Sequence, residues 1–249
     1  MPDLNLWHQR FKQQASWTSL LRQHLLSLAG ADHARQIIEI GCGTGAVTSS
    51  LQSSTSAKIY GVDLSLAYLH YACRETSDLQ FINANSNQLP FSTGAFDLTV
   101  CHFFLMWLST PLQSLVEMRR VTAPGGFVIA FAEPDYGGRI DYPLPLMELG
   151  RLQGESLLSQ GADPFLGRKL SGLFHQAGLS NIQSGILGGE WNDKVTPEAR
   201  ESEWAILQSD LKGQLALEKL KELHRLDLQA WQNGERVLFV PTFFAIGQV

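Results

Sequence analysis

Six residues within the first 102 positions have the types and spacing of a ligand site. Glu39 stands two places ahead of Gly41, and Gly43 and Gly45 follow in the run IIEIGCGTGAVTSSL over 37–51. Glycine has no Cβ, so glycines at every second position let the chain turn sharply and let a ligand lie on bare backbone. Asp63, in GVDLS, comes 22 residues after Gly41. An acid at that distance accepts from ribose hydroxyls in nucleotide-binding folds. His102, in VCHFF, has the ordinary pKa of a proton carrier near neutrality. A phosphate loop would need Lys soon after Gly45, and none is there. Ala46 fits the third position of a G-x-G-x-x-A dinucleotide loop, so the glycines alone leave the choice between a dinucleotide and another adenosyl ligand open.

These residues fall between elements of an alternating pattern. QIIEI reads as a short strand and TGAVTSSLQ as a helix. KIYGVDLS is strand then turn, SLAYLHYACRE a helix, LQFINANS and AFDLTVCHFF strands, PLQSLVEMRRVT a helix and GGFVIAFAEPD a strand. Continuous apolar strands alternating with helices predict a parallel sheet covered on both faces, with ligands beyond the carboxyl ends of the strands. Ahead of it, the apolar spacing over Leu4–Ala29 predicts one or two amphipathic helices. Downstream, FLGRKLSGLFHQAG reads as a helix capped by Gly178 and NIQSGILGG as a weak strand. Two more helices follow, the first opened by Thr196-Pro197. ERVLFVPTFFAIGQV ends the chain as a strand whose proline should leave it bulged or irregularly paired.

EIGCGTG, GVDLS, NANSNQLPFSTGAFDLTVCHFFLMWL and RRVTAPGGFVIAFAEP, in that order and spacing over Gln36–Pro134, resemble the core of the class I S-adenosylmethionine-dependent methyltransferases. They are most similar to the small-molecule branch that includes the quinone-biosynthesis enzymes. The resemblance implies a doubly wound α/β fold with a mostly parallel seven-stranded sheet, helices on both faces and an antiparallel last strand. The outlying N-terminal helices and a helical insertion before that strand are expected to form a cap. The expected organisation is one methyltransferase domain over 1–249, with an N-terminal cap at 1–30, a cofactor-binding core at 36–134 and a cap insertion at 188–234.

The same resemblance implies roles. Glu39 would help hold the methionine amino group of S-adenosylmethionine. Gly41, Cys42 and Gly43 would lie against its methionine and ribose portions. Asp63 would accept from the ribose hydroxyls, with Leu64 against the adenine. Asn85 stands where the family usually has Asp; its carbonyl oxygen would accept from the adenine amino group without charge. Ser86 would offer its backbone N–H to the ring. Cys101, His102 and Phe103 would line the methyl-transfer end. A helix N-cap is an alternative use of Asp63, and a turn is one for Asn85.

Methyl transfer from a sulfonium needs alignment and a dry site more than acid–base chemistry. His102 is the candidate general base, with packing against the ligand as its alternative; Glu133, Asp135 and Tyr136 come second, a polar turn being the simpler reading. Trp7, Phe11, Gln14 and Trp17, with Trp191 and Trp204, would close the site as a cap, although core packing explains each aromatic as well. Arg168 or Lys169 would suit an acidic substrate, with a solvated helix face as the simpler reading. No residues with metal-ligand spacing appear, and three odd, scattered cysteines suggest neither zinc nor disulfides.

The net charge of -5 and the absence of a basic run speak against nucleic acid, as does CHFF in place of an N/D-P-P-Y motif. The N-terminus has no basic start followed by an apolar core, and FFLMWL is too short to span a bilayer, so the expected location is the cytoplasm. The expected partner is a small-molecule acceptor, its identity and the oligomeric state left open. A nicotinamide-dependent oxidoreductase, a non-catalytic binding relative and a protein or RNA methyltransferase are the competing readings.

Overall fold

A computed structural model describes residues 4–76, 78–188 and 196–249. Two helices, α1 (Leu4–Trp17) and α2 (Ser19–Leu28), precede β1 (Gln36–Ile40). Then come α3 (Ala46–Gln52), β2 (Lys58–Asp63), α4 (Leu66–Glu75), β3 (Gln80–Asn83), β4 (Phe96–Cys101), α5 (Pro111–Val121) and β5 (Thr122–Pro134). The second half holds β6 (Ile140–Tyr142), α6 (Met147–Ser159), α7 (Leu166–Gln176), β7 (Ser180–Leu187), α8 (Pro197–Asp210), α9 (Leu217–Gln232), β8 (Val237–Phe239) and β9 (Thr242–Gln248).

The main sheet has seven strands in the order β3-β2-β1-β4-β5-β9-β7. Its strands pair in parallel except β9, which runs antiparallel to both β5 and β7. Strand order reverses between β1 and β4, and the carboxyl end of β1 carries the glycine run. A doubly wound sheet opens its ligand crevice at that point.

Alternation along β1 and β5 divides two apolar layers. Ile37, Ile129 and Phe131 join Leu25, Leu26, Val47 and Leu51 from α2 and α3 on one face. Ile38, Ile40, Val128 and Ala130 join Leu115 and Met118 of α5 and Leu166, Leu170 and Phe174 of α7 on the other. All four β1 isoleucine and glutamate positions, 37–40, are buried, and each aliphatic side chain so placed contributes about 1.5–3 kcal/mol. Glu39 therefore points to the α2/α3 face.

Local signals fix several boundaries. Ser65 caps α4 by accepting from Tyr68 N–H at 3.4 Å, and Thr196 caps α8 by accepting from Ala199 N–H at 3.3 Å with Pro197 following. Gly178 takes φ 79 after α7. Its N–H donates to His175 and that of Leu179 to Phe174, which closes the helix with a left-handed C-terminal turn.

Two features depart from the sequence expectation. The final strand does not merely bulge at Pro241: it splits, with β8 pairing to β6 in a small second sheet and β9 joining the main one. Proline has no N–H for a ladder, so the strand changes partner there. The structure also places α6 between β5 and α7. Its leucines at 149 and 152 pack with Trp204, Leu207 and Leu211 of α8 and its end, and with Leu220 and Leu223 of α9, in a third apolar cluster.

Candidate active site

The turn after β1 is built on three left-handed glycines: Gly41, Gly43 and Gly45 have φ of 74, 53 and 79. A side chain at any of them would strain the backbone. Space is also limiting at Gly41, where an added Cβ would stand 2.1 Å from the ring of Phe104. At Gly43 the nearest atom would be on Phe11, at 3.3 Å. The loop N–H groups of Gly41 and Cys42 donate to Val62 O on β2, at 2.8 and 2.9 Å. Asp63, next along β2, accepts from Gly43 N–H through Oδ2 and from Ser65 N–H through Oδ1, both at 2.8 Å. Ser65, not Asp63, caps the following helix. Burial raises the Asp63 pKa, opposed by the N–H groups of Ser65, Gly43 and Leu64.

Beside this turn lies a cavity of about 130 Å³, lined by Ile40, Gly41, Asp63, Leu64, Asn85 and Phe104 among others. Ser86 and Thr110 also reach it. Leu64 is 72% exposed, an unusual surface for leucine and a flat apolar face for a ring to rest on. The Asn85 carbonyl accepts from Asn87 N–H at 2.9 Å, which forms the turn, and its second lone pair remains for a ligand. Ser86 Oγ is 2.8 Å from Ser114 Oγ, and Asn87 bridges Ser114 and Thr110, at 2.6 and 2.9 Å, so the far wall is fixed.

Glu39 is buried on the other side of the loop. Thr48 Oγ1 donates to its Oε2. Burial pushes its pKa up to about 7, against the pull of Thr48 and of the Arg22 guanidinium. Arg22, itself buried, comes from α2 and donates to Ala15 O, Thr18 Oγ1 and Ser50 Oγ. The Thr18 hydroxyl lies 2.9 Å from His102 Nε2. Burial, and then Arg22, push the His102 pKa down to about 3, so the imidazole is neutral near pH 7. In this arrangement Nε2 is engaged and weakly basic, which makes His102 a poor proton acceptor and a good fastening between β4 and the α1–α2 corner.

The side chains of Cys42 and Cys101 both point into the core, so Cys42 can meet a ligand only through its backbone and Cys101 does not line the cavity. Cys42 is buried with Sγ packed toward Gly61, leaving only its backbone on the loop. Cys101 is fully buried in the apolar layer under α5 and α7. Burial raises both thiols far above their ordinary range. Phe104, which the sequence reading passed over, lines the cavity in their stead. The chain turns out of the sheet at Phe103, whose φ is 48. Three backbone donors then meet one buried acid: Phe104 and Leu105 N–H reach Glu133 Oε1 at 2.9 Å, and Met106 N–H reaches Oε2 at 3.2 Å. Each of these donors would cost about 1–3 kcal/mol if left buried and unpaired. Burial outweighs them on Glu133, whose pKa is pushed up to about 7.

The N-terminal helix closes over the loop. His8 Nδ1 is 2.8 Å from Thr44 Oγ1, and Phe11 packs between Gly43, Trp7 and Tyr68. Arg10 forms a two-pronged ion pair with Glu203 of α8, so the two outlying helical pieces touch. Trp17 is 47% exposed under the Arg10 guanidinium. Trp204 is buried in the third cluster and stacked on His224 at 4.3 Å, which is core packing. Trp191 lies outside the described residues. Tyr136 stands near Arg10 and Glu203, and burial pushes its hydroxyl up to about 12. Arg168 is paired to Asp135 and Lys169 to Asp163, so neither is aimed at a ligand site.

The arrangement suits a ligand with a ribose, an adenine and a charged amino acid end. Bare backbone at Gly41, an acid at the end of β2 and an apolar shelf at Leu64 line one cavity, and the carboxyl of Glu39 is buried behind the glycine turn. The chain matches the family described as "Methyltransferase domain" over residues 38–130. It is 30% identical over 193 residues to a demethylmenaquinone methyltransferase of Bacillus licheniformis, covering 70% of this chain and 81% of that protein. It is 29% identical over 195 residues to a Bacillus subtilis protein of the same name, with the same two coverages. Its fold matches phosphoethanolamine N-methyltransferase 2 of Haemonchus contortus, in complex with S-adenosyl-L-methionine. The TM-score is 0.58 at 13% identity, over 90% of this chain and 50% of that one. The chain belongs to the class I methyltransferases, enzymes that take their methyl group from S-adenosylmethionine.

Proposed function

We propose that this enzyme methylates a small hydroxylated aromatic acceptor of the quinol type. The observation that carries the acceptor is the likeness to the demethylmenaquinone methyltransferases, which spans four-fifths of their length. When bound, S-adenosylmethionine supplies an electrophilic methyl group on a sulfonium. In the arrangement we propose, Asp63 accepts from the ribose hydroxyls while its hold on Gly43 keeps the loop in place. Leu64, Asn85 and Ser86 receive the adenine. Gly41, Cys42 and Gly43 present backbone to the methionyl portion, and Glu39 takes its ammonium group.

His102 closes the transfer end. Its contact with Thr18 supports a role in holding the α1–α2 corner over the site, so that water is kept out during transfer. Cys101 serves as core beneath that end. We read the whole chain, 1–249, as one methyltransferase domain, with 36–134 holding the cofactor and the described parts of 1–30 and 188–234 closing over it, 1–3 and 189–195 lying outside the described residues. The Arg10–Glu203 ion pair supports that closure. Among the described residues no helix is long and apolar enough to cross a membrane. With three unpaired cysteines, this supports a cytoplasmic location, and the net charge of -5 argues against a nucleic-acid substrate.

Incubation with methyl-labelled S-adenosylmethionine and a panel of acceptors tests the proposal. Label should pass to a reduced naphthoquinone. Transfer to amines, peptides or RNA with none to the quinol would overturn it.

A further inference from the structure

We propose that Glu133 is a positioning residue for the cofactor, acting through Phe104. The inference rests on the reading that S-adenosylmethionine occupies the cavity beside Gly41. Glu133 is fully buried at the end of β5 and does not line that cavity. Its two carboxylate oxygens are taken up by three N–H groups of one short segment, Phe104–Met106. That segment leaves the sheet through a left-handed residue, Phe103, whose N–H donates to Ala132 O at 2.8 Å just past the last β4–β5 pair, Cys101–Ala130. The carboxylate, together with the Asp163 N–H that donates to Met106 O at 2.7 Å, thus fixes where the segment goes once the sheet ends. The ring that the segment delivers stands directly on Gly41, in the space a Cβ would fill, and forms a wall of the cavity shared with Asp63 and Asn85. A shift of Phe104 changes the width of the crevice just where the glycine backbone is bared. An ordinary buried acid would only stabilise the fold. Glu133 instead sets the wall of a ligand site from the layer behind it.

The test is a double-substitution cycle of Glu133→Gln and Phe104→Leu, read by calorimetric titration with S-adenosylhomocysteine. Glutamine keeps the shape and one acceptor oxygen but turns an NH₂ group against a backbone N–H. E133Q should weaken binding about tenfold, in the range of one lost hydrogen bond to a charged acceptor. In the F104L background the same substitution should change affinity less than about threefold, because the residue it acts through is already altered. Should E133Q fail to fold, F104L alone must still weaken binding. Unchanged affinity in F104L, or independent effects that multiply in the double variant, would overturn the inference. So would native affinity in E133Q accompanied only by a lower melting temperature. Binding by the native chain with any of these results sinks this inference alone. No binding by the native chain sinks the cofactor reading and the inference together.

Discussion

Cofactor affinity should fall steeply with acid, and Glu39 should be the cause. Its carboxyl is buried and titrates at about 7, above the usual carboxylate range, because burial disfavours the charge more than Thr48 and Arg22 favour it. A cationic amino group needs the ionised form. Above pH 7 the acid is already charged, so binding takes no proton away. Below pH 7 the proton must leave first, at about 1.4 kcal/mol for each pH unit. Affinity should therefore drop with a slope that approaches tenfold per unit, or roughly fiftyfold from pH 7, where half the carboxyls are still ionised, to pH 5. The empty protein shows the opposite sign: a raised carboxyl pKa favours the protonated fold, so stability falls as pH rises from the ordinary carboxylate range through 7. Titration with S-adenosylhomocysteine from pH 5 to pH 8 reads the first effect. Glu39→Gln is the control. It should bind about 10–100-fold more weakly than the native chain at pH 8, the worth of a hydrogen bond between charged partners. It should lose the part of the acid slope that Glu39 carries and converge with the native chain at pH 5. Glu133 titrates in the same range without lining the cavity, so its contribution would persist in E39Q. Flat native affinity across this range, or an undiminished slope in E39Q, would refute the reasoning.

Three further substitutions probe the site. Asp63→Ala removes the proposed ribose acceptor and frees the Gly43 and Ser65 N–H groups, so S-adenosylhomocysteine affinity should fall more than about tenfold; an unchanged dissociation constant removes Asp63 from the site. Gly41→Ala places a Cβ against Phe104 and holds alanine in a left-handed conformation at a cost of about 1–2 kcal/mol before the clash. Thermal unfolding should drop by at least about 2–4 °C, with weakened cofactor binding. His102→Gln should leave no change near pH 6.5 in the pH profile of methyl transfer, since the ring is already neutral there. A loss of about a hundredfold or more in turnover, with the acid limb abolished, would instead mark His102 as the general base.

The core of the fold was legible because its signals are local. Apolar strands such as QIIEI end in glycine or acid, and the helices begin at Ser65 or Thr110-Pro111. The antiparallel last strand and the seven-strand count came from likeness, not from periodicity. The small β6–β8 sheet escaped notice because a three-residue strand carries no period, and Pro241 read as a bulge where it is a change of sheet. The helix α6, with glycines at 150 and 154, lacks a clear apolar stripe until α8 and α9 pack against it. In the site, Glu39, Asp63 and the glycines announce themselves by their spacing along the chain. The partners that set their chemistry do not. Thr18 reaches His102 across 84 residues, and burial with the Arg22 charge leaves the imidazole weakly basic, which favours the packing alternative over the base. Glu133 looked like a turn acid. The signal available was a charge closing the fully apolar run FVIAFA, where a buried carboxylate must find donors.

A crystal structure with S-adenosylhomocysteine bound is the most direct measurement. The adenine should lie against Leu64 between Asn85 and Ser86, the ribose hydroxyls on Asp63, and the amino group toward Glu39 behind the glycine turn. A ligand seated elsewhere, or turned so that Asp63 faces no hydroxyl, would contradict the site described here.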